Sequence, residues 1–499
     1  MNKEEFTKKE GSVFPGKTYV EALLTYVFED QRDYLFHAMF QIHRAHVVML
    51  SEQGIIKKKS AKVILDCVNR LEEMDVRSLS YSPEFEDLFF MMESTISKEV
   101  GPDLASAMHI ARSRNDMGEA MYRIVLRDHV LSLIGDLISI KEGIIQQAED
   151  HIHTVMTAHT HTQPAQPTTL GHYLVAVYDV LERDLNRFWD AFHTINHSPM
   201  GAAAITTTGF PINRERVSEL LGFEGVMENS YDAIGGVDYL LDPATAILTS
   251  MTNTGRWIQD FLRLATVEVG ILHVAAPYVQ VSSIMPQKRN PVSIEHARAI
   301  ASSAIGEALS VIQMIHNTPY GDIVDTEDDL QPHLYRGFDK ASRVYRLMNA
   351  VIRTMEVNKQ RARSEASQHC ITITELADVL TREKGVSYRE AHKAASHLAR
   401  KCVDENRELA DWNVGEVNDL LKAQIKMTVA LSDKEWKGIV CPEEFVRRRS
   451  VRGGPNPTEV KRMIEVRRAT LKKHHDECEK IKGRLYEKEQ QLKNVRHST

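Results

Sequence analysis

From residue 282 to 291 the chain reads Ser282-Ser283-Ile284-Met285-Pro286-Gln287-Lys288-Arg289-Asn290-Pro291, which crowds hydroxyls, cationic side chains and an amide into ten residues. Pro286 and Pro291 punctuate the stretch, so the spacing predicts a loop that ends one helical segment and launches the next from about Pro291. Lys288, as a point charge, and Asn290, as an amide donor, are suited to hold a carboxylate beside a serine hydroxyl. A second cluster runs from Thr157 to Pro167, where five consecutive residues of Thr, His and Gln type, 159 to 163, lead into Pro164 and Pro167. That composition does not suit a solvated helix face, and His161 is not a lone histidine there. The third cluster is Ala111-Arg112-Ser113-Arg114-Asn115-Asp116. Taken alone it reads as a helix start, with Asp116 complementing the helix dipole.

Long helices must position these clusters. After Asp116 a stripe of Ile124, Leu131, Ile134, Ile138 and Ile145 continues with no proline until Pro164, which predicts a rod of about thirty-five to forty residues. Further helical runs are expected over about 168 to 195, over about 243 to 273 with Asp242 as N-cap and Pro243 in the first helical position, and over about 291 to 316. Four long helices in sequence imply a bundle core. Between the second and third, Ser198 to Asp238 is rich in Gly, Thr, Asn and Pro and reads as an excursion from the bundle. Shorter helices are expected before residue 110, among them Tyr34 to Gly54, and again beyond about 365. The highly charged tail from Thr458 places Ile464, Leu471, Cys478, Leu485 and Leu492 at seven-residue intervals, as in an amphipathic helix packed on its own protein.

Composition narrows the function classes. A chain of 499 residues that is 42% hydrophobic can bury a large globular core. Its net charge of −7 and lack of long basic blocks argue against nucleic acid as a partner. The five cysteines, Cys67, Cys370, Cys402, Cys441 and Cys478, lack metal-site or disulfide-framework spacing, as expected in a reducing cytoplasm. No stretch reads as a signal peptide or membrane span, so the expectation is a cytoplasmic protein with no membrane partner. No metal and no organic cofactor is implied.

The loop at 282 to 291 resembles the signature Gly-Ser-Ser-x-Met-Pro-x-Lys-x-Asn-Pro of the aspartase/fumarase superfamily, with Val281 in place of the glycine. Ser113-Arg114-Asn115-Asp116 and Thr160-His161-x-Gln163-x-Ala165-Gln166-Pro167 resemble two motifs of the argininosuccinate lyases within it. Ser198-Pro199-Met200-Gly201, Pro211-Ile212-Asn213-Arg214-Glu215, Asn229-Ser230-Tyr231-Asp232-Ala233, Glu375-Leu376-Ala377-Asp378 with Ala391-His392, and Arg452-Gly453-Gly454 extend the likeness along nearly the whole chain. The resemblance implies an all-α, three-domain protomer: an N-terminal helical domain over 1–112, a central long-helix bundle over 113–364 carrying the serine loop at 280–291, and a C-terminal helical domain over 365–499 ending in the charged tail. It further implies a homotetramer with composite active sites. Helix length supports that assembly independently, because a rod from Asp116 to about His153 holds Asn115 and the His161 region on the order of 50 Å apart.

By resemblance the reaction is anti elimination from a succinyl compound, releasing fumarate. Ser282 would take the Cβ proton, Lys288 would stabilise the dianionic intermediate, and His161, tuned by Glu295, would protonate the leaving nitrogen. Arg112, Ser113, Arg114, Asn115, Thr160, Gln163, Ser283, Met285, Asn290 and Tyr320 would bind substrate. Departures fall mostly on the amine side. The family's Trp-Gly-Gly-Arg-Phe segment is missing, Phe89 replaces a histidine, Val292 replaces the aspartate after Asn-Pro, and the segment Tyr320-Gly321-Asp322-Ile323-Val324-Asp325-Thr326-Glu327-Asp328 keeps the tyrosine but not the Gln and Lys. The expectation is a carbon–nitrogen lyase acting on an N-substituted aspartate other than argininosuccinate, with amine addition to fumarate served by the same site. The alternatives are a true argininosuccinate lyase of arginine synthesis and a catalytically silent, crystallin-like structural homologue. The acids Asp322, Asp325, Glu327 and Asp328 read first as a solvated loop and second as a hint of a cationic amine.

Overall fold

A computed structural model describes residues 2–495. Helices account for 69% of the chain, and five long ones form the bundle: Arg114–Asp150, Leu170–Ile195, Asp238–Leu264, Val292–Ile315 and Gln331–Thr354. Each packs on its neighbour in sequence, and the fifth closes the ring by packing on the first. Residues such as Leu137, Leu181, Ile247, Ala304 and Tyr345, one from each helix, meet in a single buried core.

Hydrogen bonds between helices fix their directions. Thr194 at the end of the second donates to Asp242 near the start of the third (2.6 Å), and Arg298 at the start of the fourth donates to Gln259 near the end of the third (2.6 Å). The ring therefore alternates up and down, and with an odd number of members the first and fifth must run parallel. They do: Ser342 bonds Asp136, and further along in both helices Asn349 bonds Ser139. One pole of the bundle thus carries residue 114, the excursion at 198–238 and the segment after residue 315. The other carries residues 151–169 and 265–291.

The first helix is the expected rod, 37 residues opening at Arg114 with Ser113 as N-cap. The third departs from expectation. It begins at Asp238 with Val237 as N-cap, encloses Pro243, and ends at Leu264. Asp242 does not cap it, because its carboxylate is taken by Thr194 of the second helix. The fifth helix was not anticipated, and neither was the form of the 157–167 cluster, which is a β-hairpin pairing Val155–Thr160 with Gln163–Thr169.

Two further cores flank the bundle. One joins Phe40, Val48, Ile64 and Leu88 of the N-terminal helices to Met200, Val217 and Phe223 of the excursion. The other, built from Leu380, Leu398, Val417 and Trp436, serves the C-terminal helices. The tail forms a helix, Pro457–Lys493, with Ile464, Leu471, Cys478 and Leu492 buried. It packs on its own protein, as its seven-residue spacing predicts. No helix among the described residues is long and apolar enough to cross a membrane.

Candidate active site

At the pole where the first helix begins, the Ser113-Arg114-Asn115-Asp116 cluster is a capping box with extra duties. Asp116 accepts from the Ser113 amide (3.0 Å) and, through its other oxygen, from the amides of Gly201 (2.9 Å) and Ala203 (3.0 Å). Burial pushes its pKa up to about 6, against the opposing pull of those three N–H groups. One carboxylate thereby clamps the Ser198-Pro199-Met200-Gly201 turn onto the helix start. Gly201 has φ +85°, and a Cβ there would come within 2.6 Å of Arg214, so only glycine fits. Arg214 holds the same turn by donating to the carbonyls of Met200 and Met227 (both 2.9 Å).

The clamp aims Asn115 outward. Its amide donates to Asp322 (2.8 Å), while its carbonyl oxygen accepts from the Ser113 hydroxyl (2.9 Å). Arg114 pairs with Asp87 (3.0 Å) and Glu86 (3.5 Å) and lies over the Phe90 ring. Arg112 points inward and donates to His43 (3.0 Å) and His109 (3.1 Å). Burial and the adjoining guanidinium hold both imidazoles neutral, which keeps them acceptors. Tyr320 reaches this pole from the segment after the fourth helix. Its hydroxyl donates to Asp232 (2.7 Å), and its ring stacks on Tyr231 at 5.9 Å. The Asn229-Ser230-Tyr231-Asp232-Ala233 motif therefore acts as the grip that holds Tyr320.

The opposite pole carries two hairpins. In the first, His161 and Thr162 form the tip with φ of 50° and 63°. A two-residue turn of this kind is normally Asn-Gly, and non-glycine residues held in the left-handed region cost of order 1–3 kcal/mol each, a strain that gathers at functional positions. Thr160, His161 and Gln163 are all exposed. Behind them, Gln166 donates to Thr374 (3.4 Å), and the His172 ring bonds the Gly453 carbonyl (3.0 Å), which brings Arg452-Gly453-Gly454 to the start of the second helix.

In the second hairpin Gln280–Val281 pairs with Arg289–Asn290 and closes the serine loop. Val281 lies in extended strand, where a β-branched residue suits the backbone and the family's glycine has no special conformation to supply. Ser282 Oγ accepts from the amides of Met285 (3.0 Å) and Ile284 (3.3 Å). The Lys288 amide donates to the Met285 carbonyl (2.9 Å), which completes the turn. Ser283, Met285 and Lys288 are exposed, Asn290 is half-buried, and Ile284 is 85% exposed. Glu295 stands exposed in the first turn of the fourth bundle helix, on a different element from His161.

One chain therefore brings Arg112, Ser113, Arg114, Asn115 and Tyr320 to one pole, and Thr160, His161, Gln163, Ser282, Ser283, Met285, Lys288, Asn290 and Glu295 to the other. The first bundle helix, 37 residues at about 1.5 Å each, separates them by about 55 Å. Sequence reasoning missed Glu119, a carboxylate buried three residues after Asp116 and four before the buried Arg123. That spacing puts it on the inward stripe with both, which was the available signal. Among the described residues no group of three His, Cys, Asp or Glu side chains is arranged to hold a metal ion.

Known proteins resemble this chain in sequence and fold. Residues 39–306 match the family described as lyase, and residues 370–446 match the argininosuccinate lyase C-terminal family. The chain is 39% identical over 461 residues to argininosuccinate lyase 2 of Agrobacterium fabrum, covering 92% of each chain. It is 35% identical over 448 residues to the argininosuccinate lyase of Methanocaldococcus jannaschii, covering 89% of this chain and 90% of that one. Among solved structures, an EDDS lyase variant with bound fumarate superposes with a TM-score of 0.85 at 31% identity, covering 99% of this chain and 97% of the other. The fold and its motifs define a lyase of the aspartase/fumarase superfamily. Within that class the chain belongs to the argininosuccinate lyase family, and it is a carbon–nitrogen lyase.

Proposed function

We propose that this protein cleaves an N-substituted aspartate to fumarate and an amine by anti elimination, and that the same site adds amines to fumarate. The observation that carries this reading is the pair of backbone amides donated to Ser282 Oγ by Ile284 and Met285. A serine hydroxyl is too weak a base on its own. Two N–H groups aimed at its oxygen favour the alkoxide, which can then take the proton from the substrate carbon beside the carboxylate. The electron pair of that C–H bond forms the C=C bond of fumarate as the C–N bond breaks. His161 supplies the proton that the leaving nitrogen needs, with Glu295 tuning the imidazole. Lys288 and Asn290 take up the negative charge that builds on the carboxylate, helped by Ser283. Thr160 and Gln163 position the other carboxylate.

The two poles lie too far apart to act together in one chain. A homotetramer, with bundles packed antiparallel, would bring Asn115 and Tyr320 of one protomer to the serine loop and hairpin of others. The similarity to the EDDS lyase variant supports the N-substituted aspartate reading. The curated relatives make argininosuccinate itself the second substrate to test. The deciding assay follows fumarate absorbance in the ultraviolet across a panel of N-substituted aspartates, with wild type and Ser282→Ala in parallel. Fumarate release lost in Ser282→Ala is the expected result. Equal release by both would remove Ser282 from the role of base, and no release by wild type from any member would overturn the lyase reading.

A further inference from the structure

Asn115 is aimed from one side by the Asp116 clamp and from the other by a strained turn. The His109 carbonyl accepts from the Arg112 amide (3.3 Å), which closes a four-residue turn whose third member, Ala111, has a φ of 62°. That place ordinarily falls to glycine, because a Cβ is disfavoured in the left-handed region. Such a turn persists only when its surroundings hold it. Here His46 Nε2 donates to the Ile110 carbonyl (2.9 Å), and Arg112 donates to His43 Nδ1 (3.0 Å) and to His109 Nδ1 (3.1 Å). The last of these bonds joins the side chains of the first and fourth residues of the turn.

The tautomer of His109 follows from its donor. A guanidinium only donates, so Nδ1 must accept and the ring proton sits on Nε2. That nitrogen contacts Glu93 Oε1. Glu93 therefore fixes both the tautomer and the rotation of the ring that receives Arg112. Phe89 is buried and lies edge-on to the His109 ring at 5.6 Å, an apolar cover for the contact. Glu93 and His109 themselves border an open cleft with Phe90, Pro102 and Met108, which residues 113–116 do not line. Their reach to Asn115 is thus through the turn.

We propose that Glu93 and His109 are positioning residues for Asn115: the carboxylate orients the imidazole, the imidazole anchors Arg112, and the anchored Arg112 holds the Ala111 turn in the shape that directs Asn115 at a fumarate carboxylate. The proposal rests on the fumarate-releasing reading above and adds to it two residues that touch no substrate. A histidine that merely filled space would tolerate an apolar residue of its size. This role demands an acceptor facing Arg112 and a donor facing Glu93.

The test combines calorimetric titration of the full-length protein with fumarate and hydrogen exchange, read by mass spectrometry, over residues 110–118. His109→Leu should weaken fumarate binding at least about tenfold and speed exchange of that segment by a similar factor. His109→Gln, whose amide keeps one acceptor and one donor, should stay within about threefold of wild type in both. Ala111→Gly relieves the strain that the brace opposes, so on that background His109→Leu should cost about threefold or less. Should His109→Leu not fold, Glu93→Ala and Glu93→Gln form the same pair, the first expected to lose affinity and the second to keep it. Equal affinity in wild type and His109→Leu, equal losses in His109→Leu and His109→Gln, the same factor with and without Ala111→Gly, or unchanged exchange overturns the proposal. Fumarate binding by wild type is scored separately: binding that the variants leave unaltered sinks this proposal alone, and no binding by wild type, with the exchange pattern as expected, sinks the lyase reading alone.

Discussion

The two poles of the bundle are built differently. At the Asn115 pole the motif side chains are tied down: Asp116 holds three amides, Arg214 holds four carbonyls, and Tyr320 is gripped by Asp232 and Tyr231. At the serine-loop pole the corresponding residues sit on two exposed hairpins whose bonds are mostly internal. On the mechanism proposed above, the rigid pole would offer preorganised contacts, and the exposed pole, which would move the protons, is left able to order over substrate.

The largest effect expected from breaking this division is in Ser282→Ala, a loss of roughly a thousandfold or more in turnover with the circular dichroism spectrum and melting temperature unchanged. A melting temperature that fell along with activity would show the serine loop to be structural. Mixing Ser282→Ala protein with Asn115→Ala protein under conditions that exchange subunits should restore part of the activity that each lacks, because some sites then draw both poles from intact copies. Two variants that stay silent when mixed would mean that the poles never share a site.

Asp116→Ala should behave in the opposite way to Ser282→Ala. It leaves one buried and two half-buried amides without an acceptor and should cost about 2–4 kcal/mol of stability, measured by denaturant unfolding. An unchanged midpoint would mean that the clamp is not structural. Glu119 sharpens the contrast through pH. Its folded pKa, about 8, lies above the ordinary 4.5, raised by burial and by Glu327 and Asp322 and opposed by Arg123 and Tyr239. Its contribution to stability is therefore fully present below about pH 4.5 and lost as pH rises through about 8. Glu119→Gln should lose less melting temperature than wild type between pH 6 and pH 9, estimated as a few degrees at most. Parallel curves would place the titration elsewhere. The smallest effect is assigned to Val281→Gly, which should change turnover less than about twofold, because an extended strand residue asks nothing special of glycine.

How far these features could be read from the sequence depended on whether their cause was local. The rod from Arg114, the start of the fourth helix after Pro291 and the packed tail all follow from spacing and caps inside the segment itself. The fifth bundle helix was equally legible, since Leu334, Phe338, Ala341, Tyr345, Met348 and Ile352 recur at steps of three and four, and it was overlooked. The third helix misled because Asp242-Pro243 imitates a cap and first position, whereas Thr194, distant in sequence, claims the aspartate. The hairpin tip carries no turn signal at all: His161 and Thr162 occupy a conformation that their residue types disfavour. Nor does any local pattern separate Glu327, which turns inward, from Asp325, which does not. That distinction is made only when the N-terminal helices close over the segment.

An odd-membered ring takes in the polypeptide at one end and releases it at the other, which would leave the two flanking modules with no direct tether. The final helix supplies one. It runs back along the first rod, from Arg468 beside Glu149 to Lys482 over Gly135, and delivers Leu492 into the N-terminal module, where the Lys493 carbonyl accepts from Asn69 (3.5 Å). It works as a belt buckled at both ends, so that neither module can loosen without tugging on the other.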